Sequence, residues 1–447
     1  MPWKSFFSMI ALPHLVTAVF AESPAPSLFD IRDASGLPSP APMIAPWKVV
    51  PLDPDYGGLW IVAGDLDGNG EVEIVSAENF NHEDTHFTSA AAAHRLDGTV
   101  IWRWGEPDIG RKEWFHDVAL QIHDWDGDGR AEVILSAKNH VIELDGTTGN
   151  ERRRLPLPPD ASDCLVFCDL QGKGRPSDVL VKDRYHQIWA YDHDWNELWT
   201  IKDPGGYRTA HQPRPIDLDG DGKDEIMAGY ALLNSDGTVR WVYRSSTVDL
   251  TKGHLDCCRV VRQGKTPEDF RLALTCCGAN NLALLDGLGN VLWEIPGHHF
   301  ESIKAGRIVP LLSGTQILVD IDHQPQGQSP LWVVDEQGAW LGRIVTAYSR
   351  HHALIDWNGD GCDEIAVAYN RAIYTHTGER IATLAMPDPP DNAIQAEQSI
   401  LSGDLTGDGI PDLLIPTPDA VYIFQNKDGQ PPRTPASLGT GMNVTLY

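Results

Sequence analysis

The nine residues Asp217-Leu-Asp219-Gly-Asp221-Gly-Lys223-Asp-Glu225 constrain this chain more than any other stretch. Carboxylates stand at positions one, three, five and nine, with glycines at four and six. Alternating carboxylates on a tight glycine turn converge on one point, and converging hard oxygens suit Ca2+. Residues 226–230 (Ile-Met-Ala-Gly-Tyr) read as a strand, and 213–216 as a second extended segment. The motif therefore predicts a metal-stapled turn between two strands.

The turn recurs. The predicted calcium ligands, with the seventh residue of each copy included, are Asp65, Asp67, Asn69, Glu71 and Glu73, then Asp124, Asp126, Asp128, Arg130 and Glu132. The third copy gives Asp217, Asp219, Asp221, Lys223 and Glu225, and the fourth Asp356, Asn358, Asp360, Cys362 and Glu364. Asp404, Thr406, Asp408, Ile410 and Asp412 complete the set. A further copy, Asp169-Leu-Gln171-Gly-Lys173-Gly, keeps the turn but puts a lysine where a carboxylate belongs, so it is expected to hold its ammonium in place of an ion. An EF-hand would need a glutamate at position twelve and flanking helices. Position twelve here is Ser76, Leu135 or Ala228, and the flanks are β-branched and apolar.

Loops start at 65, 124, 169, 217, 356 and 404; the gap from 217 to 356 is 139 residues, about three periods. Two degenerate units are expected in it, near 258–274 and 307–319. A second signature agrees. Each unit should close in a hairpin like Leu96-Asp-Gly-Thr-Val-Ile-Trp102, and eight such hairpins can be read, the last at Asn426-Lys-Asp-Gly429. Strand-only units of this period, with turn glycines at fixed offsets, predict an all-β β-propeller. Eight blades is the expectation and seven the alternative, over residues 59–447, with calcium loops in most blades. Trp102, Trp199, Trp241 and Trp293 at the blade ends are expected to pack blade against blade. Trp104, Trp114 and Trp340 are less regular, and sugar platforms are a secondary reading for them.

Composition bounds the rest. The formal net charge of −28 argues against nucleic acid and anionic membranes as partners. Residues 1–21 read as a secretory signal: Lys4, an apolar run over 6–20, and small Val19 and Ala21 before a cleavage point. Residues 22–58 read as an irregular proline-rich leader with one strand near 47–52. A secreted, extracellular monomer is expected. Seven cysteines in such a chain should partly pair, across a hairpin between Cys257-Cys258 and Cys276-Cys277, and locally between Cys164 and Cys168, leaving Cys362 free. Asn443 heads the glycosylation sequon.

Histidines gather just before the acidic loops or their degenerate equivalents. In a propeller these positions lie on a ring around the axis. A polar, cationic pocket for an anionic sugar follows. Its catalytic candidates are His211, His254, His299, His351, Arg350 and Tyr348; its substrate-binding candidates are Arg208, Tyr207, His116, His352, Arg184 and Tyr185. Arginine forks a carboxylate, and histidine or tyrosine exchanges a proton near neutral pH. Two or three of the histidines could also hold a transition metal. His82 and His86, in an insertion of the first blade, are secondary candidates. For any one histidine the plainer reading is a bond to blade backbone that seals the channel.

The Asp-x-Asp-Gly-Asp-Gly loops followed by Glu-Ile resemble FG-GAP/VCBS-type calcium repeats. Residues 183–192 (Asp-Arg-Tyr-His-Gln-Ile-Trp-Ala-Tyr-Asp) and 210–230 (Ala-His-Gln-Pro-Arg-Pro-Ile-Asp-Leu-Asp-Gly-Asp-Gly-Lys-Asp-Glu-Ile-Met-Ala-Gly-Tyr) resemble the propeller of rhamnogalacturonan lyases of polysaccharide lyase family 11, a resemblance that extends over most of 60–447. It implies an eight-bladed propeller that cleaves acidic pectin-type polysaccharide by β-elimination, with Ca2+ as cofactor and a channel histidine or tyrosine as base. The rival expectation is a non-catalytic carbohydrate-binding or adhesion propeller. A glycoside hydrolase lacks support, because no carboxylate pair stands apart from the acidic loops.

Overall fold

A strand, turn, strand, hairpin unit repeats eight times around a ring, and six of the eight turns keep the Asp-led glycine loop. The computed structural model describes residues 29–32, 41–82, 85–110, 120–161, 164–321, 329–345, 352–388 and 400–431, with only the backbone course for 29–32, 81–82, 85–86 and 345. Blade 1 runs over 60–105, blade 2 over 120–156, blade 3 over 165–202, blade 4 over 209–242, blade 5 over 254–296, blade 6 over 300–345 and blade 7 over 352–384. Each is an antiparallel meander of four strands. Blade 8 takes three strands from 401–424 and its outer strand, Lys48–Pro51, from the opposite end of the chain. Phe29–Arg32 and Met43–Ile44 add parallel outer strands to blades 6 and 7, so the leader strengthens three successive blade edges before entering blade 1. The helical turns among the described residues are three short 3-10 turns.

Both degenerate units are blades. Blade 5 opens with His254–Arg262 and Arg271–Cys277, and blade 6 with Phe300–Gly306 and Gln316–Ile321. In blade 6 the first strand ends earlier than expected, and residues 307–309 open the turn.

One carboxylate pattern shapes the turns. The position-one aspartate accepts the N–H of both glycines: Asp65 from Gly68 at 2.7 Å and Gly70 at 2.8 Å, Asp404 from Gly407 at 2.7 Å and Gly409 at 2.9 Å. Those glycines have φ between 74° and 86° in these two turns, a region costly for a residue with a Cβ. The position-nine side chain accepts the N–H of position two. This bond links Glu73 to Leu66 (2.9 Å), Glu132 to Trp125 (2.9 Å) and Glu225 to Leu218 (3.0 Å), and in blade 3, whose turn is one residue longer, Asp178 at position ten to Leu170 (2.9 Å). It survives in degenerate blade 6, where Gln316 accepts from Ile308 at 2.8 Å. The turn is thus built from backbone needs, and ligand capacity is added to it.

The core lies between blades rather than within them. Leu180, Ile188 and Ala190 of blade 3 meet Ile226, Ala228 and Leu233 of blade 4, all at most 1% exposed. Each leucine or isoleucine among them contributes about 1.5–3 kcal/mol. At the rim, a tryptophan from the fourth strand donates its indole N–H to the next blade's hairpin: Trp102 to Gly146 O (2.7 Å), Trp199 to Ser235 O (2.9 Å), Trp241 to Gly287 O (3.0 Å) and Trp293 to Glu336 O (3.0 Å). Each indole lies on a left-handed glycine of that hairpin, Gly149, Gly237, Gly289 or Gly338, where a Cβ would approach it to 2.6–2.9 Å. The blade-packing expectation for these four tryptophans therefore holds, and the glycine it requires is part of it. Blade 2 inverts the pair. Arg153 takes the tryptophan's place and donates to His193 O at 2.5 Å, while Trp195, at φ 64°, takes the glycine's place. Blade 8 uses Pro51, which presses on Gly98.

None of the seven cysteines is in a disulfide, which corrects the expected pairings. Cys257 lies opposite Thr275 and Cys276 opposite Leu255, so the two thiols face opposite sides of blade 5. Cys258 lies opposite Leu274, two residues from Cys276 on the same face, a diagonal spacing of about 7–8 Å that a disulfide does not span. Cys164 and Cys168 lie four residues apart along an extended segment, about 13 Å, well beyond bridging distance.

Candidate functional site

The inner strands of neighbouring blades touch one another, so they line the axis. Each inner strand begins at the end of the ring that also carries the second-to-third turns and the blade-to-blade connections. The acidic turns and closing hairpins lie at the opposite end. The candidate residues fall at the first end and the calcium candidates at the second, so the two sets are separated by the length of a strand.

Three blades supply the centre. Tyr185, from the second-to-third turn of blade 3, lies 4.7 Å from the His254 ring and 5.7 Å from the His211 ring, and the two imidazoles are 4.6 Å apart. His211 sits in the inner strand of blade 4, and His254 heads that of blade 5. Asp256, 1% exposed, places Oδ1 3.1 Å from His254 Nε2 and 3.5 Å from His211 Nε2. The guanidinium carbons of Arg184 and Arg208 lie 5.4 and 5.7 Å from the Tyr185 ring centre. Beneath them Lys182, 1% exposed, donates its ammonium to Arg184 O at 2.7 Å. Tyr207 packs edge-on against Tyr230, whose hydroxyl donates to His254 O at 2.7 Å.

Blade 6 adds a second group. His299 Nε2 lies 2.7 Å from Glu301 Oε1 and 3.5 Å from Cys277 Sγ. Ligand atoms of Asp256, Cys277 and His299 all lie within 4.8 Å of one another, as do those of His211, His254 and Asp256. Asp256 belongs to both groups. Burial pushes His254 down to about 4; Glu301 opposes that, and the cations of Lys182, Arg184 and Arg208 reinforce it. His254 is therefore a neutral imidazole at neutral pH.

The structure thus brings together His211, His254, His299, Arg184, Tyr185, Tyr207 and Arg208. His352 is buried at the head of blade 7's inner strand, three blades on from His211. His116, Tyr348, Arg350 and His351 lie outside the described residues, as do residues 1–21 and Asn443, and the side chains of His82 and His86. Asp256, Cys277, Glu301 and Lys182 were not foreseen. Asp256 and Glu301 each follow a candidate histidine by two residues, and i, i+2 on a strand is one face. His-x-Asp and His-x-Glu were the available signals.

At the other end, the acidic turns offer oxygen donors. Side-chain oxygens converge within 4.8 Å in Asp65, Asp67 and Glu73, in Asp124, Asp126 and Glu132, and in Asp217, Asp219 and Asp221. This donor set suits a hard cation. Two of the turns also carry an internal cation. Arg240 Nη1 lies 2.9 Å from Asp219 and 2.8 Å from Glu225, and Arg152 contacts both Asp126 and Glu132. In blade 3 the Lys173 ammonium reaches to 3.8 Å from Asp178, the carboxylate that closes this turn one residue later than in the other copies.

Compared with known proteins, the chain is 25% identical over 266 residues to the rhamnogalacturonan endolyase YesW of Bacillus subtilis, covering 43% of this chain and 42% of that protein. It is 26% identical over 339 residues to the rhamnogalacturonan exolyase YesX of the same organism, covering 62% of this chain and 52% of that one. The chain spans about half the length of these curated relatives. No family model matches it. Among solved structures, a rhamnogalacturonan lyase of family PL11 from Bacillus licheniformis superposes with a TM-score of 0.64 at 19% identity, over 89% of this chain and 83% of that one. The chain is thus similar in sequence to rhamnogalacturonan lyases, and its fold is an all-β, eight-bladed β-propeller.

Proposed function

We propose that this chain is a secreted polysaccharide lyase that cleaves an acidic, uronate-containing, rhamnogalacturonan-like polysaccharide by β-elimination. The observation that carries the reading is the convergence of His211, His254 and Asp256 beside Tyr185, flanked by Arg184 and Arg208. The names of its two relatives in Bacillus subtilis point to the same substrate class.

The chemistry follows from the charges. Arg184 and Arg208 meet the uronate carboxylate and draw electron density from it, which acidifies the proton on C5. His254, neutral because it is buried among cations, accepts that proton, and the Asp256 carboxylate steadies the imidazolium that forms. The C5–H electron pair becomes the C4–C5 double bond. The C4–O bond breaks, and the leaving oxygen takes a proton from the neighbouring hydroxyl or water. Tyr185 packs against both imidazoles and fixes their orientation.

Calcium fits the acidic turns and belongs to the same proposal. Asp65, Asp67 and Glu73, with their equivalents in the other four turns, would hold it. Bound there, it supplies charge neutralisation and a rigid turn, at the end of the ring remote from the pocket. Residues 1–21 as an export signal complete the reading.

The test is the ultraviolet absorbance of the unsaturated uronate product on rhamnogalacturonan, pectin, ulvan and gum arabic. A rise on one polymer, reduced about 100- to 10,000-fold in His254→Ala, supports the reading. A flat trace on all four, from protein that melts cooperatively, refutes the lyase and leaves a carbohydrate-binding propeller.

A further inference from the structure

We propose that Asp256, Cys277 and His299 form a binding site for a borderline divalent metal ion of the zinc class, separate from the oxygen-only turns. Three donors of different softness converge there within 4.8 Å. The Cys277 Sγ to His299 Nε2 separation is 3.5 Å. Sulfur and nitrogen ligands on one tetrahedral zinc, about 2.3 and 2.0 Å from it, stand roughly 3.5 Å apart. Thiolate with imidazole and carboxylate selects zinc-like ions over calcium or magnesium.

The fold assembles this set from three separate places. Asp256 comes from the inner strand of blade 5, Cys277 from the end of its second strand, and His299 from the connection into blade 6. The first two are brought level because His254 and Cys277 are register partners. Cys277 also differs from every other cysteine of the chain: the other six are buried, and it is partly exposed. Solvent, and an ion with it, therefore reaches Cys277. On binding, the Cys277 thiol gives up its proton and the ion displaces Glu301 from His299 Nε2. Three protein ligands leave a fourth position open, the arrangement of a site that admits water or a sugar oxygen. The shared carboxylate of Asp256 then links the ion to His211 and His254.

Metal binding is read without polysaccharide, so its failure and that of the lyase reading are distinguishable. Reduced, chelator-treated protein is titrated with Co2+. One cobalt per chain should develop visible d–d bands with a near-ultraviolet thiolate-to-cobalt charge-transfer band, and Zn2+ should abolish both. The oxygen-only turns give no charge-transfer band. Cys277→Ser, checked for an unchanged melting curve, should lose that band. In a second measurement that needs no variant, iodoacetamide should alkylate Cys277 first in the folded protein, and Zn2+ should slow that labelling several-fold. The proposal is overturned if folded protein shows no charge-transfer band, if the band persists in Cys277→Ser, or if Zn2+ leaves the labelling rate of Cys277 unchanged.

Discussion

The tryptophan–glycine contact between blades gives a prediction whose size can be worked out. Trp102 is 5% exposed and donates to Gly146 O, and it covers Gly149, whose φ is 70°. Trp102→Ala removes a buried indole and should cost about 3–5 kcal/mol. Gly149→Ala places a Cβ 2.6 Å from the indole carbons in a left-handed conformation. The conformation costs about 1–2 kcal/mol, and the overlap adds about 1–3 kcal/mol. In the double variant the overlap is gone and only the conformational cost of the alanine remains. The two changes should therefore fall short of additivity by about 1–3 kcal/mol, whereas independent sites add to within about 0.5 kcal/mol. Equilibrium urea unfolding followed by far-ultraviolet circular dichroism measures this without relying on tryptophan emission. A double variant whose loss equals the sum of the singles would show that the indole does not rest on the glycine, and would refute the account of how blades are locked at the rim.

Four other outcomes are expected. Chelation should lower the melting temperature and added calcium should restore it, because ion binding to the folded turns alone stabilises them; calorimetry showing no shift would remove calcium from the fold. Lys173→Asp should raise calcium stoichiometry by about one ion per chain, since it gives the blade 3 turn its missing carboxylate; metal analysis after dialysis decides it. Stability should fall as pH drops from 6.5 to about 4, because the unfolded chain protonates His254 in that window and the folded chain does not. The loss is roughly 3 kcal/mol, and His254→Gln should flatten that part of the urea-midpoint profile. Arg184→Ala and Arg208→Ala should weaken turnover of a uronate polymer more than that of a methyl-esterified one, as measured by initial rates, if the guanidinium groups meet a carboxylate.

The ring was legible because its signals are local. Asp217 to Glu225 encodes a turn in nine residues, and Leu96 to Trp102 encodes a hairpin in seven. Even Gln316, which replaces the acid in blade 6, keeps the bond that defines the turn, so a degenerate unit stays within the period. His211, His254 and His299 were legible as a group because each stands near the start of an inner strand. Their partners were less so. Asp256, Cys277 and His299 meet only because blades 5 and 6 lie side by side. The disulfide expectation failed on a similar point: a bulge between Leu255 and Cys257 sets which face each thiol takes, and composition carries no trace of it. Likewise Lys48–Pro51 reads as a strand near 47–52, but nothing local says that its partner is Ala420–Phe424.

That pairing sets an order of events for a chain made from one end. Lys48–Pro51 is synthesised before any blade, yet its ladder partner is the last strand among the described residues. Until then it cannot form its native ladder. Val50, fully buried in the finished ring, has no native burial until that partner is made. The same delay applies to Phe29–Arg32 and Met43–Ile44, whose partners lie in blades 6 and 7. A chain that ends before residue 420 lacks the strand that joins Lys48–Pro51 to blade 8, and the final residues of that blade close the ring by pairing the two ends of the chain.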